Sequence, residues 1–198
     1  MLESFLSRKR AEIVNKLMPS SHRKGRILDI GCGAYPHFLI NTQFSEKYGI
    51  DRLVGRKESY KISDKNIILK ECDISKDILK TFQNGYFDAI TMLAVFEHLE
   101  PRDISYIIGE MKRVLKPDGV LILTTPAVWT SIILKILATL RLVDRKMIME
   151  HKALYGTQRI VSIFTNAGFL RENIKFGKFE LFMNTWIMAV NSSAKRSK

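Results

Sequence analysis

Three aspartates stand at the ends of short apolar runs: Asp29 in "RILDIGCGAYPHFL", Asp51 closing "KYGID", and Asp73 in "KECDIS". Directly after the first come Gly31 and Gly33, separated by one residue. Neither glycine has a Cβ, so the chain can turn sharply there and a ligand can approach the backbone closely. A dinucleotide fingerprint would need a third glycine three residues beyond Gly33, where this chain has Pro36. A pyrophosphate is also a poor neighbour for Asp29, whereas an amino-acid ammonium suits it. Asp51 comes eighteen residues after Gly33. Its paired oxygens can accept from two ribose hydroxyls. Asp73 can accept from an exocyclic adenine amine, with the Ile74 amide offered to a ring nitrogen. Singly, such acids are more often helix caps or solvated loop residues. Their coincidence at three successive strand ends is what points to a site.

Proton-transfer groups are fewer. His98, in "FEHL", follows the fourth strand and is one candidate base; His151, in "MEHKALYG", is the other. Helix packing or capping competes as a role for His98, and solvation for His151. Tyr155 is expected to be a packed tyrosine, and His37 a half-exposed helix residue. The four histidines are not closely spaced and the two cysteines are far apart, so no metal is expected. Cys32 and Cys72 are read as reduced thiols, which suggests the cytoplasm.

Regularly spaced elements must hold these groups. Five apolar runs read as strands, namely "RILDI", "KYGID", "NIILKECDI", "YFDAITMLAV" and "VLILTT". They are continuously apolar, as in a parallel sheet covered on both faces. "RDISYIIGEMKRVL" places Ile104, Ile107, Ile108, Met111, Val114 and Leu115 on one helical face. "KPDG" reads as a turn. "TQRIVSIFTNAGF" reads as a helix closed by Gly168. "NIKFGKFELF" and "TWIMAVNSS" read as an antiparallel pair turning at Met183-Asn184. An amphipathic helix at the start ends at Pro19, and "PSSHRKG" links it to the first strand. The fold class is α/β: a three-layer Rossmann-like sandwich whose mostly parallel seven-stranded sheet ends in an antiparallel C-terminal strand pair. It is expected to form one domain over 1–198, with an N-terminal helix and linker over 1–24 and an inserted lid-like helix over 127–150.

The chain has 198 residues, 46% of them hydrophobic, which is enough for a packed core and argues against disorder. No signal-peptide pattern is seen at the start. With 32 Lys+Arg against 20 Asp+Glu, the formal charge is +12. That favours an anionic partner, or simply reflects a basic protein, since the cations are scattered.

With these motifs in place, the chain resembles the class I S-adenosylmethionine-dependent methyltransferases of the small-molecule, Rossmann-like type. "ILDIGCGAYPHFL" looks like the family's first motif. "YGID", "ECDIS", "FDAITMLAVFEHL" and "RVLKPDGVLILTTP" look like the later ones, in the same order. The family usually has a third glycine where this chain has Tyr35. The resemblance implies S-adenosylmethionine as cofactor and S-adenosylhomocysteine as product. Asp29, Gly31 and Gly33 would face the methionine moiety, with Cys32 and Tyr35 lining the same pocket. Asp51 would hold the ribose, Asp73 and Ile74 would meet the adenine, and Leu93 and Ala94 would flank the cofactor. Glu97-His98-Leu99 would start a helix.

The segment around 129–149 has Trp129, Ile132, Ile133, Ile136, Leu137, Leu140 and Val143 on one helical face. With Lys135 at its centre it is too short to span a bilayer. Three readings stay open: a lid over the acceptor, an interfacial helix giving peripheral membrane contact, or a homodimer contact. The expected reaction is methyl transfer to a small-molecule or lipid-linked acceptor. The alternatives are a nicotinamide-dependent oxidoreductase, a nucleic-acid methyltransferase and a non-catalytic S-adenosylmethionine-binding module. A nucleic-acid acceptor is disfavoured because no Asn-Pro-Pro-Tyr-like motif follows the fourth strand.

Overall fold

The computed structural model describes residues 2–54, 60–62, 66–74, 78–129 and 155–192. The strands are β1 (Arg26–Ile30), β2 (Glu46–Asp51), β3 (Tyr60–Ile62), β4 (Ile67–Glu71), β5 (Phe87–Leu93), β6 (Leu115–Pro126), β7 (Ile174–Phe179) and β8 (Asn184–Val190). They form one sheet in the order β3-β4-β2-β1-β5-β6-β8-β7. Strands β4, β2, β1, β5 and β6 run parallel, and β8 and β7 close the far edge antiparallel. The seven expected strands are joined by the short β3, which pairs antiparallel with β4.

Adjacent residues of each parallel strand feed opposite cores, which explains the unbroken apolar runs. Ile27, Ala89, Val120 and Ile122 pack with Ala11 and Val14 of α1 (Leu2–Leu17), with Met18 just after it, and with Phe38 and Leu39 of α2 (His37–Ile40). Their neighbours Leu28, Ile90, Leu121 and Leu123 pack on the other face. There they meet Ile104, Ile107, Ile108 and Met111 of α3 (Ile104–Val114) and Ile160 and Phe164 of α4 (Thr157–Asn166). α3 turns its expected stripe onto the sheet. α4 ends as expected at Gly168, with φ +92°. The Phe169 amide donates to Phe164 O at 3.0 Å and the Gly168 amide to Thr165 O at 2.9 Å, a double closure that satisfies two terminal carbonyls.

Three local expectations change. "KPDG" loops out within β6: Phe87 pairs with Leu115 but Ala89 with Val120, and Asp118 takes φ +61°. Asn191 fixes this bulge, its Nδ2 donating to the carbonyls of Lys112, Leu115 and Lys116 at 3.0–3.2 Å. The β7–β8 connection is Glu180 to Met183, before Asn184, because Phe179 still pairs with Asn184. Glu97 and His98 lie in a 3-10 turn, Phe96–His98, and α3 begins only at Ile104 after Pro101. The 127–150 segment lies outside the described residues from position 130 on, as does His151.

Candidate functional site

From β1 the chain builds outward to β2 and β4, then returns to the other side of β1 with β5. Such a reversal opens a crevice beyond the carboxyl ends of the strands. The loop after β1 is anchored there. The Gly31 and Cys32 amides donate to Ile50 O at 2.8 and 3.3 Å. The Gly33 amide donates to Asp51 Oδ2 at 2.9 Å, and the Leu53 amide to Asp51 Oδ1 at 2.7 Å. One carboxylate thus holds the glycine loop and its own turn, and each oxygen keeps a further lone pair for a ligand. The Cys72 amide donates to Asp51 O at 3.0 Å, placing Asp73 and the half-buried Ile74 beside the same edge.

Gly31 has φ +77°, and a methyl group there would lie 2.1 Å from Val95 Cγ2. Gly33 has φ +72°, and a methyl group there would make only ordinary contact with the Tyr35 backbone at 3.8 Å, so its requirement is torsional. Opposite, Leu93 and Ala94 end β5, half-buried, with Ala94 held at φ +55° while its amide donates to Thr124 O at 2.9 Å. A non-glycine residue in that region is uncommon and often marks a functional turn. Tyr35 is 68% exposed on the loop.

Asp29 is 3% exposed and accepts from Thr91 Oγ1 at 2.7 Å. Burial, reinforced by the nearby negative Asp51 and only partly offset by Thr91, pushes its carboxyl up to about 7. Among the described residues no cation compensates it. A buried carboxyl in this state gains from an incoming ammonium, which fits the methionine end of the expected cofactor. Burial first, then Asp29 and Asp51, also pushes the Cys32 thiol up, so Cys32 is a packing group and not a nucleophile. Burial raises Cys72 to about 11, aided by Asp73.

A consequence is measurable. Because folding raises the Asp29 pKa, its contribution to stability is complete below the unfolded value near 3.8 and is lost as pH rises through about 7. The ligand-free protein is therefore expected to melt progressively lower between those pH values. S-adenosylmethionine affinity should strengthen as pH rises through 7, because a bound ammonium favours the carboxylate. Asp29→Asn should flatten both profiles, as read by melting and calorimetry across pH.

On the β6 side, sequence reading missed a polar cluster. Glu97 is 1% exposed, and Thr125 Oγ1 donates to its Oε2 at 3.1 Å. Burial pushes the Glu97 carboxyl up, opposed by a backbone hydrogen bond, by the Thr125 hydroxyl and by the positive Arg10. Arg10 also acts on Glu180, whose Oε2 accepts from Asn184 Nδ2. The Thr124 hydroxyl, Arg10 Nε and Glu180 Oε1 are buried without partners. An acid directly after an apolar strand was the available signal for Glu97. Arg10 had none, because α1 and β6 meet only in three dimensions. His98 is half-buried on the same turn, and Tyr155 packs edge-on against Phe96 with ring centroids 5.4 Å apart. Among the described residues no three potential ligands gather to hold a metal.

The model of the methyltransferase domain family matches residues 2–171. No curated protein matches. Among solved structures, a methyltransferase of Archaeoglobus fulgidus described as SAM-dependent is 16% identical, with TM-score 0.66 over 95% of this chain and 93% of its own. The CurJ carbon methyltransferase is 18% identical, with TM-score 0.65 over 95% of this chain and 55% of its own. Phosphoethanolamine N-methyltransferase 2 of Haemonchus contortus, solved with S-adenosyl-L-methionine, is 13% identical, with TM-score 0.66 over 94% of this chain and 53% of its own. This chain therefore spans about half the length of the latter two. The family match leaves the nicotinamide oxidoreductase reading without support. By the family model over most of its length and by its sheet order, the chain belongs to the methyltransferase domain family, within the class I, S-adenosylmethionine-dependent methyltransferases of Rossmann-like fold.

Proposed function

We propose that this chain transfers a methyl group to a small-molecule or lipid-linked acceptor. The reading is carried by the buried Asp29 carboxyl, which no cation among the described residues compensates, beside the glycine loop that Asp51 holds in place. Asp29 takes the ammonium of the cofactor and Asp51 its ribose hydroxyls. Asp73 and Ile74 take the adenine, and Gly31, Cys32, Gly33, Tyr35, Leu93 and Ala94 line the remainder. S-adenosylmethionine supplies a methyl group already activated on a sulfonium, with its leaving group built in. The protein's task is then to orient the acceptor and exclude water, effects that reach roughly 7–11 kcal/mol in the best aligned systems.

An acceptor hydroxyl or ammonium must also lose a proton. That role is assigned to Glu97, supported by its position just after the carboxyl end of β5, its bond from Thr125, and a carboxyl that burial pushes up. His98 on the same turn is the competing base, and His151 stands as the third candidate. Glu97→Gln is expected to lower kcat by about 10²–10⁴-fold while cofactor affinity stays within about twofold. Equal kcat in Glu97→Gln, with a collapse in His98→Gln, would move the role to His98. The acceptor itself is best found by mass spectrometry of lysate incubated with the protein and isotope-labelled S-adenosylmethionine. Absence of any labelled product, with cofactor still bound, would favour the non-catalytic binding module.

A further inference from the structure

Exposed large apolar side chains collect at one end of the molecule. The β7–β8 connection carries Leu181, 87% exposed, and Phe182, 66% exposed, followed by the exposed Met183. Val128 and Trp129, leaving β6, are exposed beside it. Trp129 Nε1 donates to Phe182 O at 3.1 Å, and the Ala127 amide to Met183 O at 2.8 Å, so these residues form one patch.

The connection is also held in an unusual shape. Glu180, Leu181 and Phe182 have successive φ values of +52°, +53° and +66°. L-residues seldom adopt three such conformations in a row, and the result is to push Leu181 and Phe182 outward. A strained turn that presents apolar side chains to water points to a partner outside the fold.

We infer that this patch docks on an anionic lipid bilayer. Cations rim it. Lys178 Nζ stands 5.9 Å from the Phe182 ring centroid. Lys9, on α1, acts on the Glu180 carboxyl and lies beside the exposed Arg8, and Lys9 Nζ is 5.8 Å from the exposed Phe5 ring. An apolar tip with an indole at its edge and cations around it matches the layered chemistry of an interface: acyl chains, then headgroups, then phosphates. A second copy is a poorer occupant, because each chain carries a formal charge of +12 and would bring like charges together. No helix among the described residues is long and apolar enough to cross a membrane, so contact through the tip would be peripheral. The tip sits at the carboxyl end of β6, the same end as the Asp29 and Asp51 loops, since Pro126 pairs with Asn184. Docking would turn the crevice toward the lipid.

The test is cosedimentation of the full chain with phosphatidylcholine vesicles and with phosphatidylcholine–phosphatidylglycerol vesicles, without cofactor. The chain is expected to pellet with the mixed vesicles, to be released by high salt, and to stay in solution with phosphatidylcholine alone. Leu181→Ser combined with Phe182→Ser should weaken binding about tenfold or more while the melting temperature holds, because both side chains already face water. Lys178→Glu should weaken binding while Leu181 and Phe182 keep their side chains. The inference is overturned if the parent stays in the supernatant with mixed vesicles. It is equally overturned if the double variant pellets like the parent, or if sedimentation equilibrium shows a dimer that the double variant dissociates. Because the assay contains no cofactor, these outcomes leave the methyl-transfer reading untouched.

Discussion

Asp51→Ala is expected to weaken S-adenosylmethionine binding at least about tenfold, the equivalent of roughly 1.4 kcal/mol. The loss has two sources. The carboxylate itself offers paired acceptors to the ribose. It also holds the Gly33 amide at 2.9 Å and the Leu53 amide at 2.7 Å, and both donors lose their acceptor in alanine. The glycine loop would then lose one of its ties to β2, keeping those of Gly31 and Cys32 to Ile50. Stability should fall by about 1 kcal/mol, because the Gly33 amide is part-buried while the exposed Leu53 amide can turn to water. Asp51→Asn separates the sources, since an amide oxygen can keep one of the two bonds without the charge. Titration calorimetry with S-adenosylhomocysteine reads affinity, and thermal melting reads stability. Unchanged affinity in Asp51→Ala would remove this residue from the site.

Gly31→Ala should damage the fold more than any other single methyl addition at the crevice. The backbone there has φ +77°, which costs an L-residue about 1–2 kcal/mol. The new carbon would sit 2.1 Å from Val95 Cγ2 and 3.2 Å from Val95 Cβ, and such overpacking adds about 1–3 kcal/mol. A melting temperature lower by roughly 10 °C follows for a chain of this size. Adding Val95→Ala should recover the steric part and leave the torsional part. A double variant that melts like the parent would show that backbone strain at Gly31 is negligible. A Gly31→Ala protein of parental stability would mean that Val95 and the loop move apart freely, which the Gly31 and Cys32 bonds to Ile50 argue against.

Much of this was legible in the sequence because it is local. The runs "RILDI", "KYGID" and "YFDAITMLAV" announce buried parallel strands, since both faces of each must be apolar. The acids at their ends and the glycine pair between them mark the sheet edge at which the cofactor site is proposed. The α3 stripe and the Gly168 closure were equally readable, because each depends only on residues within a few turns. The bulge at "KPDG" was not, because it is fixed by Asn191, which follows the neighbouring strand β8 but is distant in sequence. Nor was the position of the β7–β8 turn, where pairing of Phe179 with Asn184 outranked local turn preference.

The sequence by itself determined the class of fold, the order of its layers and the strand ends at which a cofactor can sit, because hydrophobic period and glycine torsion are properties of neighbouring residues. Only the tertiary structure decided the charge state of Asp29, the partnership of Glu97 with Thr125 and Arg10, and the exposure of Leu181 and Phe182. Those depend on burial and on distances between segments far apart in the chain, and desolvation acts on a carboxyl only once the other strands have closed around it.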